Sequence, residues 1–413
     1  MTVIGLLALL PAVGTDLYLP SLPDVARELG ATEAGAQFTI TGVMLGGAGG
    51  QLIAGPFSDR VGRRLPAGIG VASHAVLSLL CALAPGIAVL SGLRVLQGFA
   101  AAGATVVAIA AIRDRYVGAE AARLMSRLML VIAAAPLLAP SIGGAIAAAW
   151  GWRAVFVALA AVGGAILLST LLRLPETMPA HARRRQRPRE LAAGYLSLLA
   201  DRRFVALAAL PGAMMAVIFG YVAASPFVLQ EQYGLGPQQF AGVFALGGLF
   251  LVGGSQLNAA VVRRAGPARL LRVATPVSAL LGVLLVVVVL ADLGGLAGLL
   301  ATPWAVLAAL GFVGANAAAL ALTRHGERAG TAAATIGFLQ ASIAGLVSPL
   351  VGVLGGDGLA MALVIAGSMI AAVVVLAVGT PVYRREGWLA LGSTDQDGSV
   401  EAAVAPRQES AGV

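Results

Sequence analysis

Two ionisable side chains stand deep inside apolar stretches of this chain. Asp16 lies about 20 Å along a run that starts near Val3, at the 1.5 Å rise of a helix. Arg94 lies in the run that starts at Ile87, near the same depth in a bilayer. An intramembrane carboxylate costs about 3 kcal/mol unless it faces a wet cavity, pairs, or takes up a proton. A guanidinium stays charged and needs an anion or carbonyls. The expected chemistry is therefore proton binding at Asp16, with Arg94 responding directly or through Gln97 and water. The blander readings are a carboxylate bonded only to a neighbouring helix and an arginine that snorkels and braces helices. Intramembrane charges are functional by default, which favours the first reading.

A second constellation is the charged turn Gly55-Pro56-Phe57-Ser58-Asp59-Arg60-Val61-Gly62-Arg63-Arg64, set between two apolar runs. Arg113 and Asp114 end the run from Ile87. Helices two to four return Asp59, Arg63, Arg113 and Asp114 to one face, where opposite charges can form a network. Asp59 can also face the positive N-terminus of the eleventh helix. Such a cluster would lock two halves together in one state and break in the other. Topology alone explains Arg60 and Arg64. In the fifth run, Gly143 and Gly144 allow close contact with the other half, and Pro136 and Pro140 bend the helix. This is the expected hinge.

Adaptable and aromatic side chains give broad apolar contact. Tyr18, Phe38, Met44, Gln97, Met214, Met215, Phe219, Tyr221, Phe227, Asn316 and Phe338 are the candidate substrate-cavity residues. His74, His181 and His325 have no metal-site spacing, so no metal is expected. There is no Walker sequence for ATP and no Ser/His/Asp set or carboxylate pair for catalysis. The chain reads as a non-enzyme without a cofactor, with the proton as coupling ion.

These residues need a membrane scaffold. Of 413 residues, 59% are hydrophobic and 11% charged, too few charges to cover a wet surface. Mean hydropathy is +0.91. All 27 basic residues are arginine and sit mainly in short loops, so the net +8 is a topology signal and not a nucleic-acid footprint. The single Cys81 reads as a small buried hydrophobe. Periodicity and length predict an all-α polytopic membrane protein of twelve helices: 2–24, 35–57, 65–84, 87–114, 120–148, 152–174, 203–230, 237–261, 268–291, 298–323, 329–354 and 358–383. Arginines follow the even-numbered helices. The other loops carry Asp24, Glu28, Glu33, Glu231, Asp292 and Asp357. Both termini are therefore expected in the cytoplasm. The parts are an N-terminal six-helix half (1–174), a basic, partly helical linker (175–201), a C-terminal half (202–385) and a disordered tail (386–413). Val262-Arg263-Arg264-Ala265-Gly266 echoes the first charged turn, without its Asp.

That turn resembles the loop between helices 2 and 3 of the major facilitator superfamily, G-x-x-x-D-R-x-G-R-[KR]. Thr15-Asp16-Leu17-Tyr18-Leu19-Pro20-Ser21-Leu22-Pro23 resembles the signature of its Bcr/CflA drug-efflux subfamily. Gln51 to Pro56, Arg94 to Gly98, Ala111 to Asp114, Pro136 to Gly144, Ser225 to Val228 and Arg328 to Ala332 are similar to further motifs of that group. The resemblance implies export of chloramphenicol, bicyclomycin and related compounds by drug/proton antiport. It also implies that Asp16 and Arg94 carry the coupling. Close relatives place a second acid about two turns before this Asp. Ala8 occupies that place here, which tilts the expectation toward neutral drugs such as phenicols. The expected partners are a small hydrophobic drug, protons and the lipid bilayer of the bacterial inner membrane, with no nucleic acid, and a monomer. The alternatives are a dedicated exporter of one endogenous metabolite or peptide, and a solute/proton importer.

Overall fold

Pro20 shapes the first helix. It has no N–H to give the Asp16 carbonyl four residues back, so the α-helix stops there. In the computed structural model, which describes residues 2–116, 138–178, 188–323 and 329–383 with single residues 120, 124, 128, 183 and 325, α1 spans Thr2–Asp16. A 3-10 turn, Leu19–Ser21, and α2 (Leu22–Glu28) follow. The expected continuous helix 2–24 is thus two helices with a turn between them. Pro136 and the tail 386–413 lie outside the described residues.

The remaining helices are α3 (Glu33–Val61), α4 (Arg64–Ala82), α5 (Ile87–Arg115), α6 (Leu138–Trp150) and α7 (Trp152–Arg173). Then come α8 (Pro188–Ala200), α9 (Arg202–Pro226), α10 (Pro237–Ala265), α11 (Pro267–Leu290) and α12 (Gly295–Leu310). Last are α13 (Gly314–Thr323), α14 (Ala329–Val347), α15 (Leu350–Val353) and α16 (Gly358–Gly379). Among the described residues, 11 helical spans are long and apolar enough to cross a membrane, and the shorter apolar α6 stands where the fifth predicted helix ends. Three more predicted helices are also interrupted. The seventh ends in a π turn, Phe227–Gln232, after Pro226. The tenth breaks at residues 311–313 and the eleventh at Pro349. The protein is an all-α polytopic membrane protein.

Close helix crossings set the packing. A side-chain carbon at Gly46 of α3 would overlap the Val95 carbonyl of α5, and one at Gly98 of α5 would overlap the Val43 carbonyl of α3. The same exchange recurs between α10 and α12: Gly254 against the Ala308 carbonyl, and Gly311 against the backbone of Gly254 and Ser255. Small residues let helices approach in lipid, where no hydrophobic effect drives them together. Elements of the two ends of the chain meet where α3 packs on α14 and α15 and where α9 meets the 3-10 turn. At the Arg-poor end, Gln37 Oε1 accepts from the Gly352 N–H at 3.0 Å, and Gln230 Nε2 donates to the Pro20 carbonyl at 3.5 Å.

Candidate functional site

The break after α1 has an electrostatic consequence. In a continuous helix the Tyr18 N–H would serve the Gly14 carbonyl. Here it donates to Thr15 O instead, at 3.2 Å. The Gly14 carbonyl is left at a helix C-terminus, where cations are favoured. Arg94 of α5 supplies the donor: NH1 reaches Gly14 O at 3.0 Å and Gln97 Oε1 at 2.6 Å. Arg94 is fully buried. Its guanidinium carbon lies 4.9 Å from the centre of the Tyr18 ring and 5.5 Å from that of Phe156, within cation–π range. Gln97 Nε2 donates onward to Ser78 Oγ at 2.7 Å, and Ser78 Oγ to the His74 carbonyl at 2.7 Å. Thr39 donates to the Tyr18 hydroxyl at 3.1 Å. Arg94 Nε and NH2 have no partner among the described residues.

Asp16 is buried two residues beyond the carbonyl that Arg94 holds. Among the described residues its carboxylate makes no hydrogen bond or ion pair. Arg94 thus grips the backbone of the turn that carries Asp16, not the carboxylate itself. Tyr18 and Gln97, expected in an open cavity, are wholly or almost wholly enclosed in this same cluster.

The charged turn forms a second site at the Arg-rich end. Arg63 binds Asp114 through Nε at 2.8 Å and NH2 at 3.3 Å, while its NH1 reaches Asp59 and Ser58, each at 2.6 Å. Thr177 donates to Asp114 at 3.2 Å. Glu176 accepts from the backbone N–H of Arg63 at 2.8 Å, Met178 at 3.0 Å and Arg64 at 3.3 Å. Gly62 allows this, because its φ of +101° suits glycine and a side chain there would strike the Glu176 carboxylate. Burial works against the charge on Arg63, yet the bonds to Asp114 and Asp59 hold its pKa above the ordinary value. Burial likewise opposes ionisation of Glu176, but the three backbone donors hold its carboxyl below the usual range. The Arg113 side chain and residues 326–328 lie outside the described residues. Every partner just named belongs to the first 178 residues.

The hinge residues divide. Gly143 admits the Leu17 carbonyl of the first turn, so its close contact is with its own half and not with the other. Gly144 lines a cleft of about 390 Å³ at the Arg-poor end with Pro20, Asp24, Arg27, Gln230 and Glu231, which come from both halves. Pro140 is buried. The other cavity candidates do not form one set. Met44 lies against Gly345, and Met214 sits beside Gly314. The Phe219 carbonyl accepts from Ser348 at 3.2 Å. Tyr221 stacks on Phe244 at 5.8 Å, and Asn316 donates to Asn258 at 2.8 Å. Phe227 is buried, Met215 and Phe338 are half-buried, and Phe38 is 48% exposed. Sequence reasoning missed Ser58, Glu176 and Thr177 in the charged site, and Thr39, His74 and Ser78 beside Arg94. The signals were a Pro-Glu-Thr after the sixth helix and a His/Ser pair at i, i+4 in an apolar helix.

A helical membrane bundle with a buried cation, a buried carboxyl unpaired among the described residues and an ion-pair cluster at one end defines a polytopic transporter. The chain belongs to the Major Facilitator Superfamily, whose family model matches residues 4–349. It is 36% identical over 352 residues to the uncharacterized MFS-type transporter YdgK of Bacillus subtilis, covering 85% of this chain and 87% of that protein. It is 31% identical over 354 residues to the bicyclomycin resistance protein homolog of Haemophilus influenzae, covering 84% and 87%. It is 33% identical over 240 residues to the multidrug resistance protein MdtL of Escherichia coli, covering 58% and 60%. Among solved structures, an inward-facing and occupied bacterial homolog of the lysosomal transporter Spinster superposes with a TM-score of 0.71 at 17% identity, over 95% of this chain and 97% of that one. The D-xylose-proton symporter gives 0.69 at 18%, over 91% and 96%. At such identities the likeness concerns the fold.

Proposed function

We propose that this transporter exports small hydrophobic drugs or antibiotics, phenicol- or bicyclomycin-like, across the bacterial inner membrane in exchange for protons. The observation that carries the reading is the Arg94–Gly14 bond, which fixes a buried cation on the very turn that presents Asp16. A buried carboxyl with no donor among the described residues is free to exchange a proton, and the backbone it rides on can register the change. The resistance-protein names of two relatives support a drug as the cargo. Asp16 takes a proton from outside or yields it as drug loads from inside. The halves 1–174 and 202–385 rock about their interface, as in other alternating-access carriers. Asp59, Arg63, Arg113 and Asp114 form the cytoplasmic gate. Both termini lie in the cytoplasm, by the arginine distribution. The protein works as a monomer with no cofactor beyond the coupling proton.

The test is drug susceptibility of an efflux-deficient bacterial host that carries the native chain or Asp16→Asn at matched expression. Phenicols, bicyclomycin and lipophilic cations are the panel. Resistance from the native chain and its loss in the variant is the expected result. Resistance that survives the substitution would move the proton site elsewhere. No resistance from the native chain would turn the reading to a dedicated exporter of an endogenous product or to an importer.

A further inference from the structure

The helix α8 joins the two halves and has one uncovered face. Leu198 is buried, and Gly194 and Tyr195 are half-buried, on the side that packs against α9 and α14. A side-chain carbon at Gly194 would meet Thr331 of α14 at 3.8 Å. The opposite stripe is Ala192, Leu196, Leu199 and Ala200, spaced i, i+4, i+7 and i+8 on one helical face. All four are exposed, Leu196 by 66% and Leu199 by 45%. Exposed arginines stand at both ends, Arg189 before the stripe and Arg202 and Arg203 after it.

The neighbours set its depth. α8 ends at Ala200, and the membrane span Arg202–Gln232 begins two residues later. Thr331 is the second residue of the span Gly330–Val353. A helix held against the first turn of two spans lies where hydrocarbon gives way to headgroups. There an exposed leucine meets acyl chains, while flanking arginines reach up to phosphates. The approach to α8 is tied elsewhere: Arg183 lies beside Glu176 of the first half's charged turn.

We infer that α8 is an interfacial anchor that binds anionic phospholipid, with Leu196 and Leu199 in the acyl boundary and Arg189, Arg202 and Arg203 on the headgroups. Because the anchor sits on the second half and its leader on the first, the lipid loads the connection between them. Each basic side chain near an anionic surface adds about tenfold or less to binding, so three can set a clear lipid preference.

The experiment has two arms. In the first, a nitroxide is placed on Leu196→Cys in a Cys81→Ala background, with the full chain reconstituted in phosphatidylcholine vesicles with or without phosphatidylglycerol. The label should collide with oxygen more often than with a water-soluble nickel chelate, most clearly when phosphatidylglycerol is present. A label equally open to the chelate in both vesicles would overturn the inference. So would a label shielded from both reagents only at high protein density, which marks a contact between copies. In the second arm, native mass spectrometry counts phosphatidylglycerol retained by the native chain and by a variant with Arg189→Gln, Arg202→Gln and Arg203→Gln. The variant should retain less of it at unchanged phosphatidylcholine. Equal retention would overturn the inference even if the labelled protein fails to fold.

Discussion

Arg94 donates to the carbonyl of Gly14 at 3.0 Å, a carbonyl that the break after α1 leaves without its helical donor. The cation and the break therefore belong to one device. Replacing Arg94 by Met preserves bulk but strands the Gly14 carbonyl and the Gln97 amide. Each buried unsatisfied group costs about 1–3 kcal/mol, so the variant should melt earlier in detergent and lose drug-dependent proton movement. Arg94→Lys should be intermediate, because a single ammonium cannot keep the flat guanidinium against the rings of Tyr18 and Phe156. Thermal melting and proton flux in vesicles, measured on the same preparations, check both.

Asp16→Asn should separate coupling from folding. Since Asp16 has no hydrogen-bond partner among the described residues, its amide analogue strands no partner and should melt close to the native protein. Drug-induced proton release from energised vesicles should fall to background. A large loss of stability in this variant would instead give Asp16 a structural role.

Glu176 ties the turn after Gly62 to the segment that follows α7 through two backbone donors, Arg63 and Arg64, and accepts a third from Met178 two residues on. Its carboxyl sits below the usual range, so its contribution to stability is complete above the ordinary glutamate value and fades as pH falls through the lowered one. Glu176→Gln should therefore melt below the native protein at pH 7, and the gap should shrink as pH falls below the ordinary glutamate range. A gap that stays constant with pH would mean that shape and not charge holds this turn.

The reciprocal glycines predict a sharp positional contrast. Gly254→Ala and Gly98→Ala push a methyl into a backbone carbonyl and should each cost about 1–3 kcal/mol. Gly253→Ala and Gly92→Ala meet nothing within 4 Å among the described residues and should be tolerated. Melting of all four by size-exclusion chromatography compares glycines of the same helix, one position apart in α10 and six apart in α5.

Much of this was legible in the chain alone. Apolar runs of about twenty residues, broken by arginine-bearing turns, determine a polytopic helical protein, because lipid admits only elements that satisfy their own backbone. The buried charges and the pattern from Gly55 to Arg64 marked the superfamily and both charged sites. Three-dimensional packing decided the rest. Helices that are apolar all round do not announce which face meets a neighbour, so Gly143 could not be assigned to the Leu17 carbonyl, nor Phe38 to an exposed face. The run 2–24, expected as one helix, did not show that it would break at Pro20, which carbonyl the break would free, or that a side chain 80 residues away would fill the vacancy. In the chain alone Glu176 is one acid in the linker 175–201, and His74 is a histidine without metal-site spacing. The Arg63 and Arg64 N–H groups that Glu176 accepts lie more than 110 residues away, and Ser78, bonded to His74 one turn on, meets Gln97 of α5 only in the fold.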